Sequence, residues 1–425
     1  MSAEAPAIER AQPRELPQPL TLAFAGLTAL GLLAFVFGLF TDPETTWRAY
    51  HVNFLYFAGL SQGGLVIAAI FVIVGARWPG PLRRIAEGLA AWVPITFALA
   101  CLQFFGREYI YTNWIDGAPV AKAAYLTIPR LYAMDLTFLG ALTVATILFL
   151  RSSLRPTLHG AAERASAAKG MFESWSAGWR GDEAEQAATA DRLKVLAPII
   201  CLLFAFGYSF LAFDQVMSLS PTWFSNLFGA YFAWGGFLTA IAATALIAVL
   251  LRNSPGFEGQ ITKARMHDIG KMLFAFSIFW MYLFYAQYLV IWYGNLPEET
   301  FFLQARLGSQ FMQDTRYFVA ARLDEPYVKL TLTVWLFCWI TPFFVLLGQR
   351  PKKTPAILGS VSAVVCLGFW LERNTLVWPS LVPDDGSAWL GLIQLGVAAG
   401  FAGAFGLVYL YYSRVFPSLA LPERS

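Results

Sequence analysis

The sequence predicts an all-α integral membrane protein of about ten transmembrane helices, and two observations predict it. Apolar runs of about twenty residues, each long enough to cross a roughly 30 Å hydrocarbon core as a helix, recur along most of the chain. Charge is scarce: 13% of the 425 residues are Asp, Glu, Lys or Arg, against roughly 25% in soluble domains. Backbone groups in lipid need internal partners, so these runs must be helices, and the weak alternation of a membrane barrel is absent.

The spans are predicted at residues 20–40, 50–76, 85–106, 128–150, 193–214, 224–251, 268–293, 327–348, 355–371 and 389–413. The leading nineteen residues are Pro-rich, with Glu4, Glu9 and Glu15 beside Arg10 and Arg14. No small-residue cleavage site closes the first run, so that span is expected to stay in the membrane. Twenty-one of the thirty Lys and Arg fall at the termini and at the loops after spans 2, 4, 6 and 8. Basic segments stay cytoplasmic, which predicts both termini inside.

Five units follow. Residues 1–19 form a cytoplasmic tail, 20–49 the first span and its outer loop, and 50–223 a four-helix bundle with a solvated cytoplasmic connector at 151–192. Residues 224–388 form a second bundle with a long outer loop at 294–326, and 389–425 the last span and tail. A repeat supports the two bundles. Tyr56-Phe57-Ala58-Gly59 in span 2 matches Tyr231-Phe232-Ala233-Trp234-Gly235-Gly236 in span 6. Phe213-Asp214 before Pro221 and Trp223 parallels Trp370-Leu371-Glu372 before Trp378 and Pro379. Spans 2–5 and 6–9 thus read as two similarly oriented four-helix bundles with spans 1 and 10 peripheral, and the paired glycines are expected to pack helices closely inside each bundle.

Two longer stretches carry a family resemblance: Phe213-Asp214-Gln215-Val216-Met217-Ser218-Leu219-Ser220-Pro221-Thr222-Trp223-Phe224-Ser225, and Tyr285-Ala286-Gln287-Tyr288-Leu289-Val290-Ile291-Trp292-Tyr293-Gly294-Asn295-Leu296-Pro297-Glu298-Glu299-Thr300. With the span count, they resemble the ActF-type membrane subunit of alternative complex III, within the NrfD/PsrC-like group. Gln215 departs from the pattern, which has an aromatic there, and is expected at the membrane edge. The resemblance implies a bacterial inner-membrane complex that oxidises menaquinol or ubiquinol. It passes electrons through an iron–sulfur subunit to haem c in c-type cytochrome subunits. The quinol site is implied to lie in the sister subunit ActC, and proton movement to be the ActF-type role. Lipids are the remaining partners.

Ionisable groups inside a bilayer are costly unless paired, so the few present are the candidate proton-relay residues. Asp135 lies about eight residues into span 4, roughly 12 Å from its outer end, and is expected close to mid-membrane. Arg130 is a poor intrahelical partner for it and is expected to snorkel outward. His267, Asp268 and Lys271 cluster at the inner end of span 7, and Glu87 is expected to join them from span 3, as a cytoplasmic proton entry. Asp214 and Glu372 are expected at the outer ends of spans 5 and 9. Gln62, Tyr285 and Gln287 are polar positions that could extend a relay through water. Arg107, Glu108, Arg373 and His51 read as outer-edge groups. Tyr109, Tyr111, Trp114, Trp292, Tyr293, Trp378 and Trp389 read as an aromatic belt.

Cys101, Cys201, Cys338 and Cys366 lack CxxC spacing and read as small core residues, not disulfides or cluster ligands. Three histidines at different depths, His51, His159 and His267, provide no bis-His haem site. No metal, haem or nucleic acid is therefore expected on this chain. Phosphate-binding, HExxH and nucleophile-elbow motifs are missing. An ion-coupled secondary transporter is the alternative function, because repeats and buried carboxylates also suit alternating access.

Overall fold

The structure, a computed structural model, describes residues 17–159, 169–254, 257–309 and 323–416. The expected terminal tails up to residue 16 and beyond 416, Arg164 of the connector and loop residues 310–322 lie outside them. Among the described residues there is no strand, and ten helices are long and apolar enough to cross a membrane. They are α1 Gln18–Thr41, α2 Pro43–Ile73, α3 Pro81–Ile110, α4 Ile128–Leu158, α5 Asp182–Leu219, α6 Phe228–Leu251, α7 Lys263–Gly294, α8 Val328–Val345, α9 Pro355–Leu381 and α10 Leu392–Val415. The side bearing residue 17 and the basic connectors is called the basic side, and the other the far side.

Helices α2 to α5 close one four-helix ring, α6 to α9 a second, and α1 pairs with α10 along the outside of α2. The rings join where α2 crosses α6. Helix α2 is the most enclosed, 83% buried over its apolar window, whereas α1 and α10 are 11% buried over theirs. Lipid tails are as apolar as leucine, so helices associate here through backbone proximity and not through a hydrophobic drive. A Cβ on Gly59 would stand 3.1 Å from the Gly236 Cα, and one on Gly63 would stand 2.7 Å from the Gly236 carbonyl oxygen, so these glycines pack the two rings against each other and not, as their pairing in the sequence suggests, the helices within each bundle. Gly31 and Gly400 give α1 and α10 the same intimacy, their backbones being in direct contact.

Several helices outrun the hydropathy windows. Helix α2 starts seven residues earlier than expected because Asp42 caps it, accepting the Thr45 N–H at 3.0 Å, with Pro43 at the first helical position. The 151–192 connector is largely helical: α4 runs to Leu158, a short helix covers Lys169–Ser176, and α5 begins at Asp182. Helix α9 continues ten residues past its expected end, because the Glu372-Arg373 pair that stops a hydropathy window is buried inside the protein.

The end of α9 depends on an arginine from elsewhere. Pro379 has no N–H to give the Thr375 carbonyl four residues back. Arg306, from the far-side helix Pro297–Leu307, donates Nε to that carbonyl at 2.8 Å, and Nη2 to the Leu376 carbonyl at 3.0 Å and the Ser380 hydroxyl at 2.8 Å. Its guanidinium lies over the Phe302 ring, 3.5 Å from the centroid. Burial pushes its pKa down to about 9, which leaves it a cation at neutral pH. Replacing Arg306 by Gln is expected to cost roughly 2–4 kcal/mol by stranding these carbonyls. In a Pro379→Ala background the restored N–H takes up the Thr375 carbonyl, and the cost should fall by about 1 kcal/mol in a double-mutant unfolding cycle. Equal costs in both backgrounds would refute the account.

Candidate functional site

In the first ring the far-side ends of α2 to α5 enclose a polar network with Gln215 at its centre. Gln215 closes the regular part of α5, where the last carbonyls of a helix lack intrahelical partners. Its backbone carbonyl accepts from His51 Nε2 at 2.8 Å. Its side-chain Oε1 accepts the Tyr111 hydroxyl at 2.8 Å, and its Nε2 donates to Asp135 Oδ2 at 2.6 Å. His51, fully buried on α2, receives Gln103 Nε2 on Nδ1 at 2.6 Å. A carbonyl can only accept, so Nε2 carries the ring proton and the imidazole is neutral in this arrangement. Gln103 Oε1 has no partner. Turning that amide over would present Oε1 to Nδ1, and the same pair would then hold an imidazolium.

Asp135 is 2% exposed, and its Oδ1 has no partner. One carboxyl oxygen is held and the other is open, so the group has room for a proton or a water. The neighbouring Asp214 is paired through Oδ1 with Arg130, whose guanidinium lies 3.6 Å from the centroid of the Tyr125 ring and donates Nε to the Tyr125 carbonyl at 2.5 Å. Arg130 therefore turns inward instead of snorkelling, because the buried Asp214 carboxylate needs a counter-charge. Asp214 does stand at the end of its helix, but it is fully buried.

Glu372 and Arg373 depart further from expectation. Glu372 is nine residues short of the end of α9, and both side chains are 1% exposed. They pair with each other, Arg373 Nη1 to Glu372 Oε2 at 2.9 Å. Arg373 Nη2 donates to the Phe232 carbonyl of α6 at 3.1 Å, and its guanidinium lies 4.0 Å from the Phe232 ring centroid. A Cβ added to Gly235 would come within 3.2 Å of Arg373 Nη2, and one on Gly59 within 3.8 Å. The guanidinium thus sits at the seam where the rings meet. Towards the far side, a void of about 40 Å³ lies between Tyr231, Gln287, Arg306 and Thr331, with room for a water. The Thr331 hydroxyl has no protein partner.

The remaining candidates divide. Glu87 is buried and saturated: Arg83 Nε lies at 3.0 Å, Arg84 Nη1 at 2.6 Å, and the Ser153 hydroxyl donates at 2.7 Å. Discharging it would strand two guanidiniums, so it acts as a clamp between α3 and α4 and is a poor proton carrier. Lys271 pairs with Asp268 at 2.7 Å but is 56% exposed, and His267 Nδ1 lies 4.0 Å from the same carboxylate. This group sits in the second ring, while Asp135 and Glu87 sit in the first, so they do not make one route. Tyr285 is 52% exposed on the outside of α7 and lies away from the network. Gln287 is buried, accepts from the Ser225 hydroxyl at 3.0 Å and donates to the Leu283 carbonyl at 3.2 Å. Gln62 is buried with its Nε2 unpartnered. Tyr111, Trp114 and Trp378 belong to the core, whereas Tyr109 and Tyr293 are exposed as belt residues are. Cys101 is exposed on its helix instead of packed in the core, and all four cysteines are free.

A cavity of about 1170 Å³ forms an apolar groove between the α1–α10 pair and α2, α6 and α9. At its far-side end the Tyr56 hydroxyl donates to the Cys366 carbonyl at 3.0 Å, and Trp370 Nε1 to Asn53 Oδ1 at 3.0 Å. The groove there suits hydrocarbon, and these donors are already committed within the protein.

Sequence reasoning passed over His51, Gln103, Tyr111, Gln215 and Arg373 as site residues. The usable signal was the Asp214-Gln215 pair at a helix end, where free carbonyls gather. No protein-family model matches the chain, and no curated protein matches it. Chemically, the arrangement can hold and hand on protons within a closed environment. Gln215→Leu is expected to lower stability by roughly 2–4 kcal/mol, since it removes the partners of both Asp135 and Tyr111. Tyr111→Phe alone should cost about 1 kcal/mol, and the double variant no more than Gln215→Leu, as read by thermal unfolding in mild detergent. Additive losses would show that the three side chains do not act as one network.

Proposed function

We propose that this chain is the ActF-type membrane subunit of a quinol:electron acceptor oxidoreductase, and that it handles protons while electrons run through iron–sulfur and c-haem partners. The observation that carries the reading is the enclosed Asp135–Gln215–Tyr111 and His51–Gln103 network, with an open carboxyl oxygen and an invertible amide. Buried carboxyls with incomplete hydrogen bonding take up and release protons where saturated ones do not. In this reading Asp135 is the proton-holding group and His51 with Gln103 the second station. The Glu372–Arg373 ion pair places a further titratable carboxyl, already paired, at the seam between the rings. The complex would lie in a bacterial inner membrane with the basic side cytoplasmic, in keeping with the basic asymmetry. The quinol site would lie in the ActC sister subunit, and the apolar groove offers this chain a contact for a menaquinone or ubiquinone tail.

An ion-coupled carrier is the second reading. Such carriers break helices at matching positions of their repeats. Here α3 is interrupted by a 3₁₀ turn at Ala90–Trp92 before Pro94, and α8 by a π-turn at Leu336–Ile340 before Pro342. These helices are not repeat mates. Purification in mild detergent separates the readings: a complex subunit brings haem-containing partners with it, and a carrier comes alone.

The proton role is tested by Asp135→Asn in the intact complex, reconstituted in vesicles. Quinol oxidation is expected to persist while the number of protons moved per electron falls. Lys271→Met, at an exposed side chain in the other ring, should leave that ratio unchanged. A normal ratio in an assembled Asp135→Asn complex would make the residue structural.

A further inference from the structure

On the basic side α4 and α5 part around a cavity of about 450 Å³, lined by Leu148, Arg151, Arg155, Arg180, Glu185 and Arg192 and closed by the 177–178 turn. The lining follows helix periodicity. Leu148, Arg151 and Arg155 stand at i, i+3 and i+7 on α4, and Glu185 and Arg192 at i and i+7 on α5, so each set shares a face.

The four arginines are not equivalent. Arg155 is buried and saturated: it meets Glu185 through Nε at 2.7 Å and Nη2 at 3.2 Å, the Trp175 carbonyl through Nη1 at 2.7 Å and the Ala177 carbonyl through Nη2 at 3.0 Å. It neutralises Glu185 and pins the turn that roofs the cavity. Arg180 reaches Glu185 only at 3.4 Å and is 60% exposed. Arg151 and Arg192 are exposed, and neither has a hydrogen bond or ion pair among the described residues. Four guanidiniums face one carboxylate, and three positive charges remain without a counter-charge in the lining.

Position narrows the ligand. Arg151 directly follows the apolar run ending at Leu150, and Arg192 stands three residues before the apolar run that opens at Val195 beyond Lys194, itself paired with Asp191, so the cavity lies at the membrane–water boundary. Immediately below it Ile147 and Leu148 on α4 and Val195 and Ile199 on α5 are exposed, an apolar wall continuing into the bilayer. An occupant must be anionic at the boundary and hydrocarbon beneath. Guanidinium forks match phosphate oxygens in pairs, and basic pockets between helix ends attract anionic headgroups.

We propose that this pocket binds the phosphate of an anionic phospholipid from the basic-side leaflet, with Arg151 and Arg192 as its principal ligands and Arg180 closing over it. Arg155 and Glu185 build the pocket and do not themselves bind. The site is independent of the proton network and of the proposed complex.

The test is native mass spectrometry of the full chain in mild detergent, titrated with phosphatidylglycerol, with phosphatidylcholine of the same acyl chains, and with inorganic phosphate. The wild type should hold phosphatidylglycerol at least tenfold more tightly than phosphatidylcholine. Arg151→Gln with Arg192→Gln should weaken phosphatidylglycerol roughly twentyfold, about fivefold per arginine, and leave phosphatidylcholine unchanged. Arg151→Lys with Arg192→Lys should fall between. Both residues are exposed and unpartnered, so these variants should unfold at the wild-type temperature. Equal retention in the Gln variant, or no discrimination between the two lipids by the wild type, overturns the proposal. Complete displacement of phosphatidylglycerol by inorganic phosphate assigns the site to free phosphate and overturns it as well. If the Gln variant fails to fold, the wild-type comparison of the two lipids decides alone.

Discussion

The contact on which the rest of the structure depends is the crossing of α2 and α6 at Gly59, Gly63 and Gly236. In lipid no hydrophobic penalty pushes two helices together, so backbone proximity must supply the attraction. The missing side chains also do a second thing. They leave space at the seam for the Arg373 guanidinium, which Gly59 and Gly235 border directly. A close-packed crossing and a buried cation are thus one arrangement: larger residues would part the helices and evict the charge together. The four-helix rings on either side take their relative placement from this seam.

Charge inside the protein follows one rule with two outcomes. Glu87 has two guanidiniums and a hydroxyl, and Arg155 spends all three nitrogens on Glu185 and two carbonyls. Such saturated groups hold helices in register. Asp135 and Gln103 each keep a polar atom with no partner. Incomplete satisfaction is destabilising in a low-dielectric interior, and a site that retains it also retains the capacity to bind a proton or a water. Saturated and open groups are therefore told apart by their hydrogen bonds, residue by residue, and the ion-paired Asp214 and Glu372, each with a carboxyl oxygen that has no hydrogen-bond partner, stand between the two.

The number of helices and the two rings were legible in the sequence because lipid imposes a length and a composition on every crossing. The glycines of the repeat at Tyr56–Gly59 and Tyr231–Gly236 read as packing each bundle internally, whereas they pack one ring against the other, because a sequence repeat does not tell which face of a helix meets which neighbour. The site was less legible. Depth along a helix can be counted, but facing cannot, and the ring that Lys271 belongs to differs from that of Asp135. Gln215 looked peripheral because it ends a helix, yet α5 ends inside the protein beneath Tyr111 and His51. Glu372 and Arg373 looked like boundary charges because hydropathy averages over neighbours and cannot register that two adjacent opposite charges neutralise each other. Arg306 was invisible for another reason: its partner is a carbonyl left vacant by a proline seventy-three residues later.

The latch formed by Arg306 has a mechanical consequence. The helix Pro297–Leu307 is fastened to α9 through backbone oxygens at the point where α9 has lost its own restraint. Displacing that helix would therefore unfasten the last turn of α9, the turn that lies one to two turns beyond Glu372 and Arg373. The far-side helix and the end of α9 are in this way a single mechanical piece: neither shifts without leaving backbone oxygens of α9 bare.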